Sequence, residues 1–237
     1  MLNGKTILVV VPARGGSKGI TLKNIYPLNG KPLIVYTGEV VRQLPYVDRA
    51  VVSTDHPEIA KIAQSCGLDA PFYRPGSLSG DRIGDWDVLN HALGELERID
   101  GRHYDVIVML QPTSPFRKPE HVTKTIITLI EGNYDAVWTV NKTDSKAHPL
   151  KQLVIKENQL DYYDPAGAMI IARQQLTPVY HRNGIAYAIQ RACLLEKKSI
   201  KGDHTGAVII EELVANIDTK FDILFAEFLL QKTRNVL

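Results

Sequence analysis

Cysteine, tryptophan and methionine are scarce in this 237-residue chain, at two, two and three residues. Cys66 and Cys193 cannot build a disulfide framework, and they lack the paired spacing of a zinc site. An excess of charge is also missing. Twenty-eight Lys and Arg face 26 Asp and Glu, a formal net charge of +2, which argues against broad binding to nucleic acid or an acidic membrane. Trp86, Trp138 and the ten tyrosines do not interleave with basic residues as a base-stacking platform would require. No apolar run approaches the roughly 18 residues of a membrane span, and no signal-peptide pattern opens the chain. The expectation is a cytoplasmic protein with neither a membrane nor a nucleic-acid partner.

What is present is an ordinary globular composition, 44% hydrophobic and 23% charged, arranged in a clear rhythm. The length suits one large domain, or one with a small appendage, and a chain of this size can bury roughly 70% of its unfolded surface without a disulfide or structural metal. Ile7 to Val11 (ILVVV) reads as a strand buried on both faces. Pro32 opens a helical pattern through Val41, Arg49 to Ser53 is a strand, and Pro57 to Cys66 is a helix. Val88 to Leu96 reads as a helix, Val106 to Leu110 as a strand, Val122 to Ile130 as a helix, and Ala136 to Val140 as a strand. Such β-α alternation predicts a mostly parallel sheet with helices on both faces. The rhythm breaks over 141–182, which is polar and contains Pro149, Pro165 and Pro178. It resumes with strands at Gly184 to Ile189 and Ala207 to Ile210 and a helix over Phe221 to Leu230. Residues 1–140 and 183–237 therefore form one α/β domain, and 141–182 reads as a β-rich inserted arm.

The strongest local signal is Pro12-Ala13-Arg14-Gly15-Gly16-Ser17-Lys18-Gly19, directly after the first strand. Glycines permit tight turning and close approach to a ligand, and successive amides can form an anion nest. Arg14, Ser17, Lys18 and Lys23 add donors at the carboxyl ends of the strands, the edge where open α/β sheets bind ligands. The segment is neither a GxxxxGK[ST] P-loop nor a GxGxxG dinucleotide fingerprint. A solvated basic loop is the simpler alternative; the preceding strand and the two cations inside the loop favour phosphate binding.

Val11 to Asn24 (VPARGGSKGITLKN) resembles the opening signature of the acylneuraminate cytidylyltransferases. The likeness continues through Leu28 to Thr37 (LNGKPLIVYT), Val51 to Ala63 (VVSTDHPEIAKIA), Arg74 to Asp81 (RPGSLSGD), Leu110 to Arg117 (LQPTSPFR), Asn183 to Ile189 (NGIAYAI) and Ile217 to Asp222 (IDTKFD), in the family's order and rough spacing. The resemblance implies a Rossmann-like nucleotidyltransferase fold with an inserted dimerisation arm, hence a homodimer. It implies a reaction of CTP with a nine-carbon 2-keto sugar acid, giving the CMP-sugar and pyrophosphate with the help of Mg²⁺ or Mn²⁺. It further implies that Ala13, Arg14, Gly15, Ser17, Lys18 and Lys23 hold the triphosphate, with Asn24 and Arg74 near the cytosine and ribose. Gln111, Arg173 and Tyr187 would face the sugar acid; Arg173 is matched by its interval before Tyr187, and its planar fork suits a carboxylate. Arg14, Lys23 and Asp218 would carry the chemistry.

Asp218 also stands on its own physical footing. A carboxylate ending an apolar strand is a hard oxygen ligand suited to Mg²⁺, although it can equally cap the helix that follows. The family often has Asp-x-Asp here, whereas this chain has Asn216-Ile217-Asp218; an Asn216 carbonyl can hold a metal's water without supplying the charge. Asp85 stands near where the family has a small hydroxyl residue, and Thr21 where it commonly has Pro. Asp81 and Asp85 are open between meeting the base or ribose and capping a helix. Ser53-Thr54-Asp55 is open between site and cap, while Pro112-Thr113-Ser114-Pro115 follows a buried strand and reads more as site than turn. His91 reads as structural, and His148, His181 and His204 have no metal-ligand spacing.

The expected activity is CTP-dependent activation of an N-acylneuraminate, by in-line attack of its anomeric 2-hydroxyl on the α-phosphate. Legionaminic, pseudaminic or ketodeoxyoctonic acid would be alternative acceptors, the last disfavoured by the composition of the loop. A sugar-1-phosphate nucleotidyltransferase is a further alternative, and a non-catalytic nucleotide-binding protein on the same fold is the alternative of another class.

Overall fold

The structure, a computed structural model, describes residues 1–234. It divides into two compact units, one of residues 1–139, 183–208 and the chain from 212 onward, the other of 140–182 and 209–211.

The first unit begins with β1 (Ile7–Pro12), whose first five residues are buried. Two-residue strands β2 (Pro27–Leu28) and β3 (Lys31–Pro32) pair antiparallel around Asn29-Gly30. Both turn residues have positive φ, 50° and 76°, the backbone that an Asn-Gly hairpin turn favours. There follow α1 (Leu33–Val41), β4 (Arg49–Ser53), α2 (Pro57–Ser65), α3 (Asp85–Asp100), β5 (Val106–Met109), α4 (Pro119–Glu131) and β6 (Ala136–Lys142). Pro57 and Pro119 stand at the first helical positions, where a missing N–H leaves no bond unmade. Gly101, in the left-handed region at φ 63°, ends α3.

The second unit holds β7 (Leu153–Lys156) and β8 (Gln159–Tyr162), which pair antiparallel. It also holds several short 3-10 turns, one of them Arg173–Gln175. Then come β9 (Tyr180–Gln190), α5 (Arg191–Leu195), β10 (Thr205–Ile209) and α6 (Lys220–Arg234).

Six strands form the main sheet in the order β10-β6-β9-β5-β1-β4. β1 is parallel to both β4 and β5, whereas β9 runs antiparallel to β5 with Val108 opposite Ala188. The fold is thus an α/β layer with a mostly parallel sheet. Leu8, Val10, Ile107 and Met109 share one core with Leu89, Leu93 and Leu96 of α3 and with Cys193 and Leu194 of α5. Ile7, Val9 and Val11 alternate to the opposite face, and the buried sides of α1, α2 and α4, including Ile34, Ile59 and Ile126, serve that side. A smaller cluster joins Ile20, Leu28 and Leu33 to Ala215, Ile217, Ile223 and Ala226. That cluster carries the segment before α6 back to the loop after β1. No described helix is long and apolar enough to cross a membrane.

Candidate active site

Parallel pairing of β1 with β4 and β5 aligns their carboxyl ends, and a cavity of about 330 Å³ opens there. Its lining comes from four stretches: 12–24 after β1, 74–88 leading into α3, 111–113 after β5, and 216–218. Arg14, Lys18, Lys23 and Arg74 face Asp81, Asp85 and Asp218 across it, four cations against three carboxylates.

The loop after β1 is fixed by neighbours that the sequence leaves undecided between site and cap. Asp55 accepts the Gly15 N–H at 2.8 Å, the Thr54 carbonyl accepts the Arg74 N–H at 2.8 Å, and the Ser53 carbonyl accepts the Ala13 N–H at 2.9 Å. Ser53-Thr54-Asp55 therefore ties two sides of the cavity together, and Thr54 Oγ1 also accepts the His56 N–H just before α2, at 3.1 Å. Ala13 is buried, the amides of Ala13 and Gly15 are taken by these bonds, and neither residue lines the cavity. A Cβ on Gly15 would also lie 3.0 Å from the His56 ring, so this glycine serves close packing. Ser17, Lys18 and Gly19 do line the cavity.

Leu22, at φ 49° and ψ 41°, sits in the left-handed region just before the 3-10 turn Lys23–Ile25, a conformation that leucine adopts at a cost. That turn presents Lys23 to the cavity and buries Asn24, whose Nδ2 donates to the Arg14 carbonyl at 3.0 Å. Lys23 Nζ meets Asp218 Oδ1 at 2.7 Å. The Asp218 segment is pinned by the Ile217 N–H donating to the Thr113 carbonyl at 2.8 Å. Asp222, not Asp218, accepts the N–H groups of Asp218 and Thr219 at the start of α6, at 3.0 and 2.7 Å, which leaves the Asp218 carboxylate to the cavity. Asn216 lines the cavity beside it.

Asp81 Oδ1 is 2.9 Å from Arg14 Nη2, and its Oδ2 is 2.6 Å from Lys18 Nζ. The hydrogen bond from Lys18, joined by the positive charges of Lys18 and Arg14, holds the Asp81 carboxyl below the usual carboxylate range. Asp87 accepts the Gly84 N–H at the start of α3, at 3.2 Å, so neither Asp81 nor Asp85 is needed for that role.

Arg74 is 5% exposed, and its buried Nε and Nη2 have no hydrogen-bond partner among the described residues. Burial lowers its pKa, with Asp55 as the nearest compensating charge. A buried guanidinium with idle donors in a cavity wall is costly to leave so and is set up for an incoming acceptor.

Gln111 lines the cavity and is held from behind by Arg117, a residue for which the motif reading offered no role. Arg117 Nη2 donates to the carbonyls of Gln111 and Gly184 at 2.6 and 3.0 Å, Nη1 donates to Thr37 Oγ1 at 2.8 Å, and Nε donates to the Ile185 carbonyl. Burial without a carboxylate partner pushes its guanidinium down to about 9. Gly184, at φ 73°, has no room for a side chain, because a Cβ would lie 2.5 Å from Gln111 Oε1 and Ser114 Oγ.

Tyr187 is 1% exposed, packs edge-on to Trp138, and its hydroxyl accepts the Gly184 N–H at 3.0 Å. The Asn183 to Ile189 block is the frame behind Gln111, and Tyr187 does not line the cavity. Arg173 belongs to the second unit, where it lines a separate cavity with Lys142, His148 and Thr177. His91 packs edge-on to Phe72 on α3. Among the described residues no three His, Cys, Asp or Glu side chains cluster as a metal site.

A cation-lined pocket at the carboxyl edge of a mostly parallel sheet defines a binder of anionic nucleotides or sugars. The cytidylyltransferase family pattern matches residues 8–236, and the chain belongs to that family. It is similar to the N-acylneuraminate cytidylyltransferase of Escherichia coli, 29% identical over 95% of this chain and 52% of that protein; here the chain spans about half the relative's length. It is 30% identical to a Campylobacter jejuni pseudaminic acid cytidylyltransferase over 94% of this chain and 95% of that one. Identity to the CMP-N,N'-diacetyllegionaminic acid synthase of Legionella pneumophila is 28%, over 98% and 99% of the two chains. The solved structure of CMP:2-keto-3-deoxy-manno-octonic acid synthetase complexed with CTP shares the fold at a TM-score of 0.70, with 17% identity over 96% of this chain and 99% of that one.

Proposed function

We propose that this chain transfers the cytidylyl group of CTP to the anomeric 2-hydroxyl of an N-acylneuraminate or closely related nonulosonic acid, releasing pyrophosphate. The observation that carries the reading is Arg74, buried with idle donors in a cavity that also holds Arg14, Lys18 and Lys23. A nucleoside triphosphate offers its phosphates to Arg14, Lys18 and Lys23 and nucleoside acceptors to Arg74.

In-line phosphoryl chemistry needs positioning and neutralised charge more than covalent help. Arg14, Lys18 and Lys23 bind the triphosphate and stabilise charge gathering on the departing pyrophosphate. Arg74 and Asn24 border the nucleoside side. Gln111, held by Arg117, orients the acid so that its hydroxyl approaches the α-phosphate opposite the leaving oxygen. Residues 216–218 fit a divalent cation in chemistry, if sparsely: Mg²⁺ takes one or two carboxylates and completes its shell with phosphate oxygens and water. Asp218 would hold it, with the Asn216 amide alongside. Mg²⁺ or Mn²⁺ held there would supply neutralisation of phosphate charge, and Lys23, paired with Asp218, would lie beside it. Attack at phosphorus also requires loss of the hydroxyl proton, and no cavity side chain stands out as the base.

The second unit supports a homodimer. Ile155, Leu160, Met169 and Ile171 are 66–93% exposed on it, an apolar surface that a second copy would cover. In that dimer the arm would offer Arg173 to the acid's carboxylate. Use of CTP supports the cytoplasmic location expected from the sequence.

Relatives named for three different acids match at 28–30% identity, so the acid is decided by experiment. Pyrophosphate release is measured with CTP and Mg²⁺ in parallel with N-acetylneuraminic, legionaminic, pseudaminic and ketodeoxyoctonic acids. Turnover is expected with one of the first three. Silence with all four, from folded protein that binds CTP, selects the non-catalytic reading. A monomer by light scattering at micromolar concentration overturns the dimer.

A further inference from the structure

Three of the four cavity cations are already paired with the protein's own carboxylates, two of them with the same residue. Asp81, from the wall leading into α3, reaches Arg14 with one oxygen and Lys18 with the other, at 2.9 and 2.6 Å. A carboxylate with one oxygen on a guanidinium and one on an ammonium offers these groups what two oxygens of a phosphate would offer. We propose that Asp81 is an internal stand-in for phosphate: it holds Arg14 and Lys18 in the unliganded pocket and yields them to the nucleotide's phosphates on binding. The proposal rests on the nucleotide reading above and adds a positioning residue to it.

Three features support an exchangeable contact. Asp81 is 41% exposed and Lys18 82% exposed, so the pair is screened by solvent and easily broken. Asp81 lies in a short turn with Gly80 and Gly84 at its ends. A Cβ on Gly80 would meet nothing nearer than 3.8 Å, and the turn is closed by an Ile83 N–H to Gly80 carbonyl bond of 3.4 Å, long for a hydrogen bond. The start of α3 is held separately by Asp87, so Asp81 can swing away without unwinding the helix. Lys23 has its own acid in Asp218, while the buried Nε and Nη2 of Arg74 have none.

The consequence is discrimination by charge. A single carboxylate competes well against a weakly charged anion and poorly against a triphosphate or pyrophosphate. Asp81 keeps the loop ordered when empty, and its return to Arg14 and Lys18 assists release of pyrophosphate.

The test is calorimetric titration of inorganic pyrophosphate and of CTP, without divalent metal, into wild type, Asp81→Asn and Asp81→Glu. Asp81→Asn is expected to bind pyrophosphate about tenfold more tightly, because the competitor is gone while Arg14 and Lys18 remain. Asp81→Glu is expected to return the affinity to near wild type. In steady state Asp81→Asn should lower KM for CTP without raising kcat, whereas a structural lesion would lower kcat without lowering KM. Pyrophosphate binding by Asp81→Asn that is unchanged or weaker overturns the proposal. Wild type that binds neither ligand overturns the nucleotide reading instead, a distinguishable failure.

Discussion

Gly19 lies so near Asp218 that a Cβ placed on it would come within 2.5 Å of the Asp218 carbonyl oxygen. Backbone contact of this closeness couples the cation loop to the carboxylate that we propose for the metal, across almost 200 residues of sequence. Gly19→Ala must push the two apart, and a shift of about 1 Å at a reacting centre can cost 100-fold. We expect kcat/KM to fall by about 10- to 100-fold and the melting temperature to fall as well, because the atom that must give way is backbone. Gly16→Ala is the control, since a Cβ there meets nothing within 4 Å. Equal activity in the two variants would show that the contact carries no functional constraint.

Arg74 should separate stability from function. Its burial with idle donors costs the unliganded fold, so Arg74→Met, similar in reach and uncharged, should melt at the same temperature as wild type or higher. The same variant should bind CTP at least tenfold more weakly, having lost a charge-assisted donor. Thermal melts with and without CTP check both halves. A variant that melts lower and binds normally would make Arg74 a structural residue.

These residues mark where the sequence was legible. The all-apolar β1 followed by glycines and cations announces a ligand loop, because burial on both strand faces and close backbone approach each leave a residue-type signature. The alternation through β6 likewise announces the sheet. Other features depend on contacts between distant segments and leave no such mark. Asp81 and Asp85 look alike in sequence, yet Asp81 bonds both Arg14 and Lys18, while Asp87 takes the helix start. Tyr187 occupies a run from Asn183 to Ile189 that is buried throughout, and an unbroken buried run gives no parity from which to tell core from cavity. Arg117 was visible within LQPTSPFR, but a charged residue beside prolines reads as surface until its partners prove to be carbonyls.

Arg117 therefore supports a prediction about stability. Its guanidinium serves the carbonyls of Gln111, Gly184 and Ile185 and the hydroxyl of Thr37. Arg117→Met strands these buried acceptors, each worth about 1–3 kcal/mol when left unmade. Partial relaxation leaves an expected net loss of about 3 kcal/mol, or roughly 6–12 °C in Tm for a chain of this size. Arg117→Lys should recover only part of it, since one ammonium cannot reach acceptors spread around a planar fork. Full recovery by lysine would mean that charge, and not the fork, is what the site needs.

The last prediction concerns acid. Glu97 on α3 accepts from Arg191 Nε and Nη2 at 2.7 and 2.8 Å, and the His103 ring and the Tyr104 N–H approach it as well. Arg191 foremost, then His103 and Tyr104, pull its carboxyl down to about 2, below the ordinary glutamate value of about 4.3 in an unfolded chain. A carboxyl depressed by folding stabilises the native state at pH values above the unfolded pKa. That contribution fades as pH falls from about 5 toward 2, where the folded protein too takes up the proton. Glu97→Gln should cost about 2 kcal/mol at pH 7, seen as a lower denaturant midpoint. By about pH 3 roughly half of the difference from wild type should be gone, and it should nearly vanish only below about pH 2. Denaturant titrations at pH 7, 5, 4 and 3 follow this convergence, and a gap that stays constant across the series would mean that Glu97 acts through packing and not through its charge.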